Sequence, residues 1–199
     1  IASGWLSTEW LAVMAILLSL SFMLAAPLAA QGDAIYERIR PRIKRFERAK
    51  RLEGDGNITI HDVDAVIFGM GRVGSSLYLH IAHDFEHRIL AVDVDHNKVN
   101  QLSDGGLHIV QGDAASSEFW SRAPSLINQL KWIMLTLPTH EANLTAAKRI
   151  RKMGYTGKLA SIAKHNDHVV ELQTVGVDHA FNVYAEAGAG FADDLREWV

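Results

Sequence analysis

Short apolar runs and amphipathic segments alternate along the last two thirds of this 199-residue chain. The apolar runs have the length and branched composition of buried strands, and the segments between them repeat apolar residues at helical spacing. We predict strands at 62–68, 88–93, 107–110, 131–136 and 158–163. We predict helices at 73–84, 95–103, 116–122, 139–153 and 166–175. Because strands that alternate with helices through short turns form a parallel sheet covered on both faces, this pattern predicts an α/β fold with a doubly wound parallel sheet.

The first part of the chain follows neither pattern. Trp10–Ala30 contains twenty-one residues without a charge, and as a helix it would extend about 31 Å, the thickness of a bilayer's hydrocarbon core. Trp5 and Trp10 lie where aromatic side chains mark a membrane interface. We predict a transmembrane helix at 5–31, in a fragment of a longer membrane protein that begins before Ile1. A very apolar core helix and a signal peptide stay open as alternatives, although no basic segment precedes the run.

A basic segment follows the apolar run. Residues 34–51 carry eight Lys and Arg against two Glu, and we predict a basic linker, largely helical, at 33–57. Asp33 is placed to cap the helix, and Pro41 is expected to kink or divide it. Because positive charge beside a membrane helix stays on the cytoplasmic side, we predict an inner (cell) membrane protein whose residues after about 33 are cytoplasmic. The glycines of Leu52–Asn57 predict a short hinge.

A glycine-rich turn joins the first predicted strand to the first predicted helix. Gly69, Gly71 and Gly74 form the pattern G-x-G-x-x-G, which in this position is typical of dinucleotide binding in a Rossmann-like fold. The glycines allow a tight turn, the approach of a pyrophosphate and close packing of the helix, whose first N–H groups then face the phosphates. A purely structural turn is the alternative, and Arg72 either binds an anion or is solvated. The predicted site takes in the whole turn: Gly69, Met70, Gly71, Arg72, Val73 and Gly74.

Acidic and small residues follow the next predicted strands. Asp93 ends the second one, nineteen residues after Gly74, where its carboxylate can accept hydrogen bonds from both ribose hydroxyls and would repel a 2′-phosphate. The loop at 111–114 is expected beside it, where it either edges an adenine ring or is a turn with Asp113 as a helix cap. The loop after the fourth strand forms the far lip of the same crevice. These loops add the candidate residues Val94, Asp95, Gly112, Asp113, Ala114, Thr136 and Leu137.

Composition excludes several kinds of site. The chain has no cysteine, which excludes thiolate metal sites and cysteine nucleophiles, and no serine lies in a nucleophile elbow, so we predict no catalytic residue. The part after Arg51 carries twelve Lys and Arg against nineteen Asp and Glu, so we predict no nucleic-acid partner. His80, His83 and His87 have the spacing of helical metal ligands, but they fall at a predicted solvent edge and we predict no metal. The remaining histidines of interest are predicted to be surface or capping residues: His140, His165 and His168.

Four segments of the chain resemble the RCK domain, also called KTN or TrkA-N. They read IFGMGRVGSSL, AVDVDHNKV, VQGDA and LTLPTHEANL, all within residues 61–183. The run LSLSFMLAAPLAA with its basic linker resembles the last membrane helix of a Kef-type antiporter joined to its cytosolic domain. Residues 184–199 resemble the helix by which these domains pair, which implies a homodimer, and the small residues Gly188 and Gly190 would allow close approach of helices.

The resemblance implies a role for each residue that matches a family motif. The ribose would lie at Asp93 and the adenine beside Asp113 and Ala114. Arg72 and Asn143 match positions near the effector site of glutathione-gated Kef relatives, although the segment before Asn143 lacks the acidic residues of those relatives. The residues implied to face the phosphates are Gly69, Gly71, Arg72 and Gly74.

These features together predict a cytosolic regulatory domain that binds an adenine nucleotide, either NAD(H) or AMP/ADP. The resemblance implies that it gates a potassium or other monovalent cation transporter of the cation:proton antiporter type. Its partners would be a second copy and the membrane transport domain of the parent protein. An NAD-dependent dehydrogenase is one alternative, but too few residues follow the last predicted strand for a separate substrate domain. A soluble nucleotide-binding scaffold is the other alternative.

Overall fold

The computed structural model describes residues 9–43, 58, 60, 62–196 and 198. The chain divides into two compact units, Ile1–Gly54 and Asp55–Val199. The boundary between them falls within the segment predicted as a hinge. The hinge itself, Leu52–Asn57, lies outside the described residues, and so does Trp5.

The first unit contains two helices, α1 (Glu9–Ala30) and α2 (Gly32–Ile43). Within the described residues, α1 is the one helix that is long and apolar enough to cross a membrane. Its side chains from Glu9 to Ala29 are all exposed. The Ser19 hydroxyl donates to the carbonyl of Ala15 (2.8 Å), so this polar group is satisfied inside the helix. A helix that is apolar all round and not covered by protein is typical of a membrane span.

The structure bears on two details of the predicted linker. Asp33 is not an N-cap, because α2 begins one residue earlier, at Gly32. The N–H of Ile35 donates to the carbonyl of Gln31 (2.9 Å), so the junction between the helices already supplies an acceptor at helical spacing and a capping side chain is not needed there. Pro41 does not divide the helix, since α2 continues for two residues beyond it, and a kink at Pro41 stays a prediction.

The second unit is built on a six-stranded sheet. The strands are β1 (Ala65–Phe68), β2 (Ile89–Asp93), β3 (Ile109–Gln111), β4 (Trp132–Leu135), β5 (Lys158–Ala163) and β6 (His179–Asn182). The helices between and after them are α3 (Arg72–Ile81), α4 (His96–Asp104), α5 (Ser117–Arg122), α6 (Leu126–Gln129), α7 (His140–Lys152), α8 (Asn166–Thr174) and α9 (Val183–Arg196). All neighbouring strands are parallel, in the order β3-β2-β1-β4-β5-β6. The predicted Rossmann-like, doubly wound α/β fold is confirmed.

Alternate residues of β1 pack on opposite faces of the sheet. Val66 and Phe68 belong to the core on the side of α5 and α7, whereas Ala65 and Ile67 belong to the core on the side of α3 and α4. Phe68 meets the ring of Phe119 edge-on, with 5.5 Å between the ring centroids. Burial on both faces explains the continuous apolar run of a central parallel strand, and it holds the end of β1 rigidly where the glycine turn begins.

The hydrophobic pattern does not predict β6 or α6. Each has only four residues, and β6 begins with the exposed His179 and ends with Asn182, so its pairing with β5 rather than its own apolar content places it in the sheet. α9 occupies most of the segment predicted as a helix or tail, and none of its side chains is buried. α3 ends at Ile81, earlier than expected, because the chain then turns through Glu86 and His87 with positive φ angles.

Candidate nucleotide-binding site

Packing alone explains two of the three glycines in the turn after β1. Gly69 has a φ of +93°, a left-handed conformation that favours glycine, and a Cβ there would lie 2.7 Å from the carbonyl oxygen of Thr136. A Cβ on Gly74 would overlap the carbonyl oxygen of Gly69. The N–H of Gly69 also donates to the carbonyl of Val92 (2.8 Å). The first and third glycines are therefore required by the turn itself and by its contact with α3.

Gly71 has no such explanation. Its φ of −76° suits any residue, and a Cβ there would meet no protein atom within 4 Å. It is the N-cap of α3 and supplies no side-chain cap, whereas Asp95 caps α4 and Thr139 caps α7. No capping side chain therefore satisfies the first N–H groups of α3, and the end of a helix with free N–H groups attracts anions. A glycine here fits the close approach of a phosphate.

Asp93 connects the end of β2 to the glycine turn. Its side chain is 6% exposed, its Oδ2 accepts from the N–H of Met70 (2.7 Å), and its Oδ1 accepts from the N–H of Asp95 (2.9 Å). Burial by itself raises the pKa of Asp93, but hydrogen bonds from the Asp95 N–H, the Lys98 ammonium and the Met70 N–H outweigh burial and lower the pKa below its ordinary value. The predicted ribose acid is therefore ionised at neutral pH and fixed against the predicted phosphate turn.

Lys98 belongs to this site, although sequence reasoning did not single it out. Its Nζ lies 3.0 Å from Oδ2 of Asp93, and its side chain is 36% exposed. α4 starts directly after β2, so its first turn folds back over the end of the strand. The available signal was a cation five residues after the acid, at the start of the following helix. A search for acids at strand ends does not consider that cation.

The loop after β3 lies beside Asp93, as predicted. The N–H of Gly112 donates to the backbone carbonyl of Asp93 (3.0 Å), and the side-chain amide of Gln111 donates to the carbonyl of Val94 (3.1 Å). A Cβ on Gly112 would overlap the ring of Phe119. Gly112 is therefore required by packing, and Val94 is exposed at the rim of the crevice.

The side chains of this loop mainly stabilise its own turn. Oδ1 of Asp113 accepts from the N–H of Ala115 (2.8 Å), and the cap of α5 is Ser116, so the alternative that Asp113 caps the helix is wrong. Ala114 is fully buried, and its carbonyl accepts from the indole N–H of Trp120 (2.9 Å). The assignment of Asp113 and Ala114 to the adenine side stays a prediction.

The loop after β4 packs against the glycine turn and forms hydrogen bonds with it. Oγ1 of Thr136 lies 2.6 Å from the carbonyl oxygen of Gly69 and 3.0 Å from that of Phe68. The N–H of the buried Leu137 donates to Oδ1 of Asn143 (3.0 Å). The structure therefore places Thr136 and Leu137 beside the turn, where they support it.

The contacts of Asn143 do not support an effector role for it. Asn143 is 2% exposed, and its amide donates to the carbonyls of Leu137 (3.2 Å) and Ile162 (3.4 Å). An effector that took up this amide would leave buried groups of Leu137 unpaired. Arg72, the other effector prediction, is exposed at the first position of α3 and makes no ion pair among the residues that the structure describes.

The described histidines form no metal centre, since no group of three or more His, Cys, Asp or Glu within the described part of the chain is placed to hold a metal ion. His140 and His168 stack with 3.8 Å between ring centroids, and Nε2 of His140 lies 2.8 Å from Oε2 of Glu171. These contacts join α7 to α8. His165 occupies the N-cap of α8 without a side-chain capping bond, and it is exposed, so of the two predicted roles the surface one agrees with the structure. The histidines near the end of α3 are exposed: His80, His83 and His87.

Four loops thus meet at one crevice, at the carboxyl ends of β3, β2, β1 and β4, where the strand order reverses between β1 and β4. This strand order, with a glycine turn before an uncapped helix and an acid at the end of β2, defines a Rossmann-like dinucleotide-fold domain. Residues 65–183 match the family model of the TrkA-N domain. The match covers more than half of the chain, and the chain belongs to the TrkA-N domain family. No curated protein matches the chain significantly.

Solved structures share the fold at low sequence identity. The TrkA-N domain of the inner membrane protein ybaL from Escherichia coli aligns with a TM-score of 0.61 and 21% identity, over 69% of this chain and 99% of that one. The Shewanella denitrificans Kef CTD in its AMP-bound form aligns with a TM-score of 0.57 and 13% identity, over 68% of this chain and 80% of that one. The GsuK channel bound to NAD aligns with a TM-score of 0.55 and 15% identity, over 89% of this chain and 31% of that one.

Proposed function

We propose that residues 61–183 form a cytosolic regulatory domain that binds an adenine nucleotide and thereby gates a membrane transporter for potassium or another monovalent cation. The transporter would be of the cation:proton antiporter type. The observation that carries the proposal is the N-terminus of α3, which follows Gly71 and has no side-chain cap, in the turn whose Met70 N–H donates to Oδ2 of Asp93 (2.7 Å). A helix N-terminus that can bind a phosphate, next to a carboxylate that can bind a ribose, suits the adenosine-phosphate half of a nucleotide.

NAD(H), AMP and ADP all contain that half, and the proposed ligand is one of these. Membership of the TrkA-N family supports the class, and two structures of the same fold hold NAD and AMP. The predicted contacts are the turn Gly69–Gly74 for the phosphates, Asp93 for the ribose and the loop 111–114 for the adenine. We propose a regulatory and not a catalytic role, so no residue is assigned to a chemical step.

The membrane part of the proposal rests on α1. A helix of this length extends about 33 Å, enough to cross a bilayer, and it is exposed throughout its described length. We place α1 in the inner membrane and the chain after about residue 33 in the cytoplasm, because the basic segment 34–51 follows α1 directly. α1 would belong to the transport domain of the parent protein.

A second copy of the chain is the other proposed partner. α9 has no buried side chain, and a Cβ on Gly188 or Gly190 would meet no atom within 4 Å. A helix of this length with two glycines is marginal alone, so α9 is the proposed dimer contact, through its exposed Tyr184 and Phe191. An apolar groove of about 240 Å³ on the sheet is a surface that a partner could cover. Its lining includes Val73, Leu77, Met134, Ile162 and Phe181.

Titration calorimetry of the 199-residue chain in detergent with AMP, ADP and NADH tests the binding step. At least one of the three should bind, and the loss of binding in Gly71→Asp would locate the site. If none of the three binds, the nucleotide proposal is wrong. Sedimentation of the same sample tests the dimer, and a protein that stays monomeric at high concentration would contradict it.

A further inference from the structure

The carboxylate of Asp93 is already largely occupied. A carboxylate offers about four acceptor positions, two on each oxygen. Oδ2 accepts from the N–H of Met70 (2.7 Å) and from Nζ of Lys98 (3.0 Å), and Oδ1 accepts from the N–H of Asp95 (2.9 Å). One position therefore remains, on Oδ1. A ligand that is to bind both of its ribose hydroxyls to this carboxylate must first displace Lys98.

The Lys98 ammonium has hydrogen-bond donors that are not used by any of the described residues. Of its three N–H donors, one bonds Asp93, and within the described residues the structure gives it no other partner. Its side chain is 36% exposed, so the remaining donors are open to solvent and to a ligand. The site therefore presents an ion pair to the ribose, and not the bare carboxylate that its sequence position suggests.

We propose that Lys98 is a specificity-determining residue of the nucleotide site, which allows an adenosine ribose that carries a 2′-phosphate to bind beside Asp93. This inference rests on the proposed function, since it assumes that the crevice binds adenine nucleotides. A bare Asp93 would repel the phosphate dianion, whereas the ammonium pairs with Asp93 and donates a charge-assisted hydrogen bond to the phosphate. Lys98 thereby narrows the preference for an unmodified ribose that Asp93 alone would impose.

The test compares AMP with adenosine 2′,5′-bisphosphate, because the two differ only by the 2′-phosphate. Both are titrated calorimetrically into the 199-residue chain in detergent, in four forms: wild type, Lys98→Met, Lys98→Arg and Lys131→Met. Met keeps most of the aliphatic length of lysine and removes its charge. Lys131 is the matched control, because its ammonium also pairs with a carboxylate, that of Asp64 (3.1 Å). This pair lies next to the first residue of β4, at the amino ends of the strands and away from the proposed site.

In the wild type, the two ligands should bind within about tenfold of each other. Lys98→Met should lower the affinity for the bisphosphate relative to that for AMP by about ten- to a hundredfold, the scale of a hydrogen bond to a charged group. Lys98→Arg should bind the bisphosphate about as tightly as the wild type does. Lys131→Met should bind both ligands with wild-type affinity. Thermal melting of each variant checks that it is folded.

Two outcomes would overturn the inference in distinguishable ways. If the wild type binds AMP and the ratio of the two affinities is the same in Lys98→Met, Lys98 does not set specificity and the proposed function stands. If the folded wild type binds neither ligand, the proposed function fails together with the inference.

Discussion

Two buried polar side chains stabilise the two loops that border the crevice, and their hydrogen bonds differ. Asp93 holds the lip formed by the glycine turn, and Asn143 holds the lip formed by the loop after β4. Both are almost fully buried, at 6% and 2% exposed, and both bond to the backbone of a neighbouring loop. Asp93 keeps an open acceptor position and a cation beside it, whereas the amide of Asn143 donates to two carbonyls and accepts from one N–H.

Under the proposed function, this difference distinguishes the proposed ribose contact, Asp93, from a side chain that mainly stabilises a loop. Both N–H donors of the buried amide and one acceptor position of its oxygen are taken by backbone groups, so the amide stabilises the loop and has no N–H left to donate to a ligand. A buried carboxylate with an open position at a helix N-terminus can still take a hydroxyl. A position at the carboxyl ends of the strands is therefore not enough to suggest a ligand contact. It also matters which hydrogen-bonding positions of the side chain the protein itself leaves open.

The largest expected effect is the loss of stability in Asn143→Ala. The variant leaves both the N–H and the carbonyl of the buried Leu137 without their side-chain partner, which should lower the free energy of unfolding by about 2–4 kcal/mol. Urea denaturation followed by fluorescence, to which the buried Trp120 contributes, measures the change. The exposed Asn128→Ala is the control. A stable variant that no longer binds nucleotide would reverse the comparison and make Asn143 a ligand contact.

Gly71→Asp should have the largest effect on binding with little effect on stability. A Cβ at this position would meet no protein atom within 4 Å, and the position is an N-cap, which aspartate favours. The charge of the aspartate opposes a phosphate, so AMP affinity should fall by more than about a hundredfold. Gly74→Ala is the contrast, because its Cβ would overlap the carbonyl of Gly69 and should destabilise the fold. Calorimetry and urea denaturation of both variants separate the two effects. Unchanged AMP binding in Gly71→Asp would remove the phosphate assignment.

Asp93→Ala should weaken AMP by about ten- to a hundredfold, because a hydrogen bond from the ribose to a charged acceptor is lost. Asp64→Ala removes an equal charge at the start of β1, where Asp64 pairs with Arg88 at 2.7 Å, and should not change AMP affinity. The measurement is a calorimetric titration of each variant. An equal effect of the two substitutions would point to overall charge and not to a ribose contact.

The smallest expected effect is a pH dependence of stability. The pKa of Asp93 is lowered in the folded protein, so its contribution to stability is present above its unfolded pKa of about 3.9 and is lost as the pH falls through the folded pKa. The difference in unfolding free energy between wild type and Asp93→Asn should be constant above about pH 5 and shrink in more acid solution. Urea denaturation over a pH series measures it. A difference that grows on acidification would contradict the lowered pKa.

Most of the fold could be predicted from the sequence. The central strands β1 and β2 have continuous apolar runs, such as Ala65–Phe68, that are buried on both faces and leave a strong local signal. β6 leaves none, because its four residues are half-exposed at the sheet edge and depend on pairing with β5. Asp33 was assigned as a cap by local propensity, which the continuation of the helix backbone from α1 overrides.

The candidate site, like the fold, has parts that could be predicted from the sequence and parts that could not. The turn Gly69–Gly74 and Asp93 are set by local chain geometry, and the sequence places them correctly beside each other. The partner of a side chain is a tertiary property: the pairing of Lys98 with Asp93 and the use of Asn143 by Leu137 depend on where α4 and α7 begin. Sequence spacing therefore did not indicate Lys98, and the resemblance that suggested Asn143 as an effector contact carried no information about its hydrogen bonds to Leu137.

Cation flux through the parent transporter in proteoliposomes, measured with and without adenine nucleotide, tests the central proposal most directly. A ligand regulates only if it binds two states of the assembly with different affinities, so nucleotide should change the flux of the wild type. Gly71→Asp should keep the basal flux and lose the response. A wild-type flux that is the same with and without AMP, ADP and NADH, in a protein that binds them, would contradict the regulatory function.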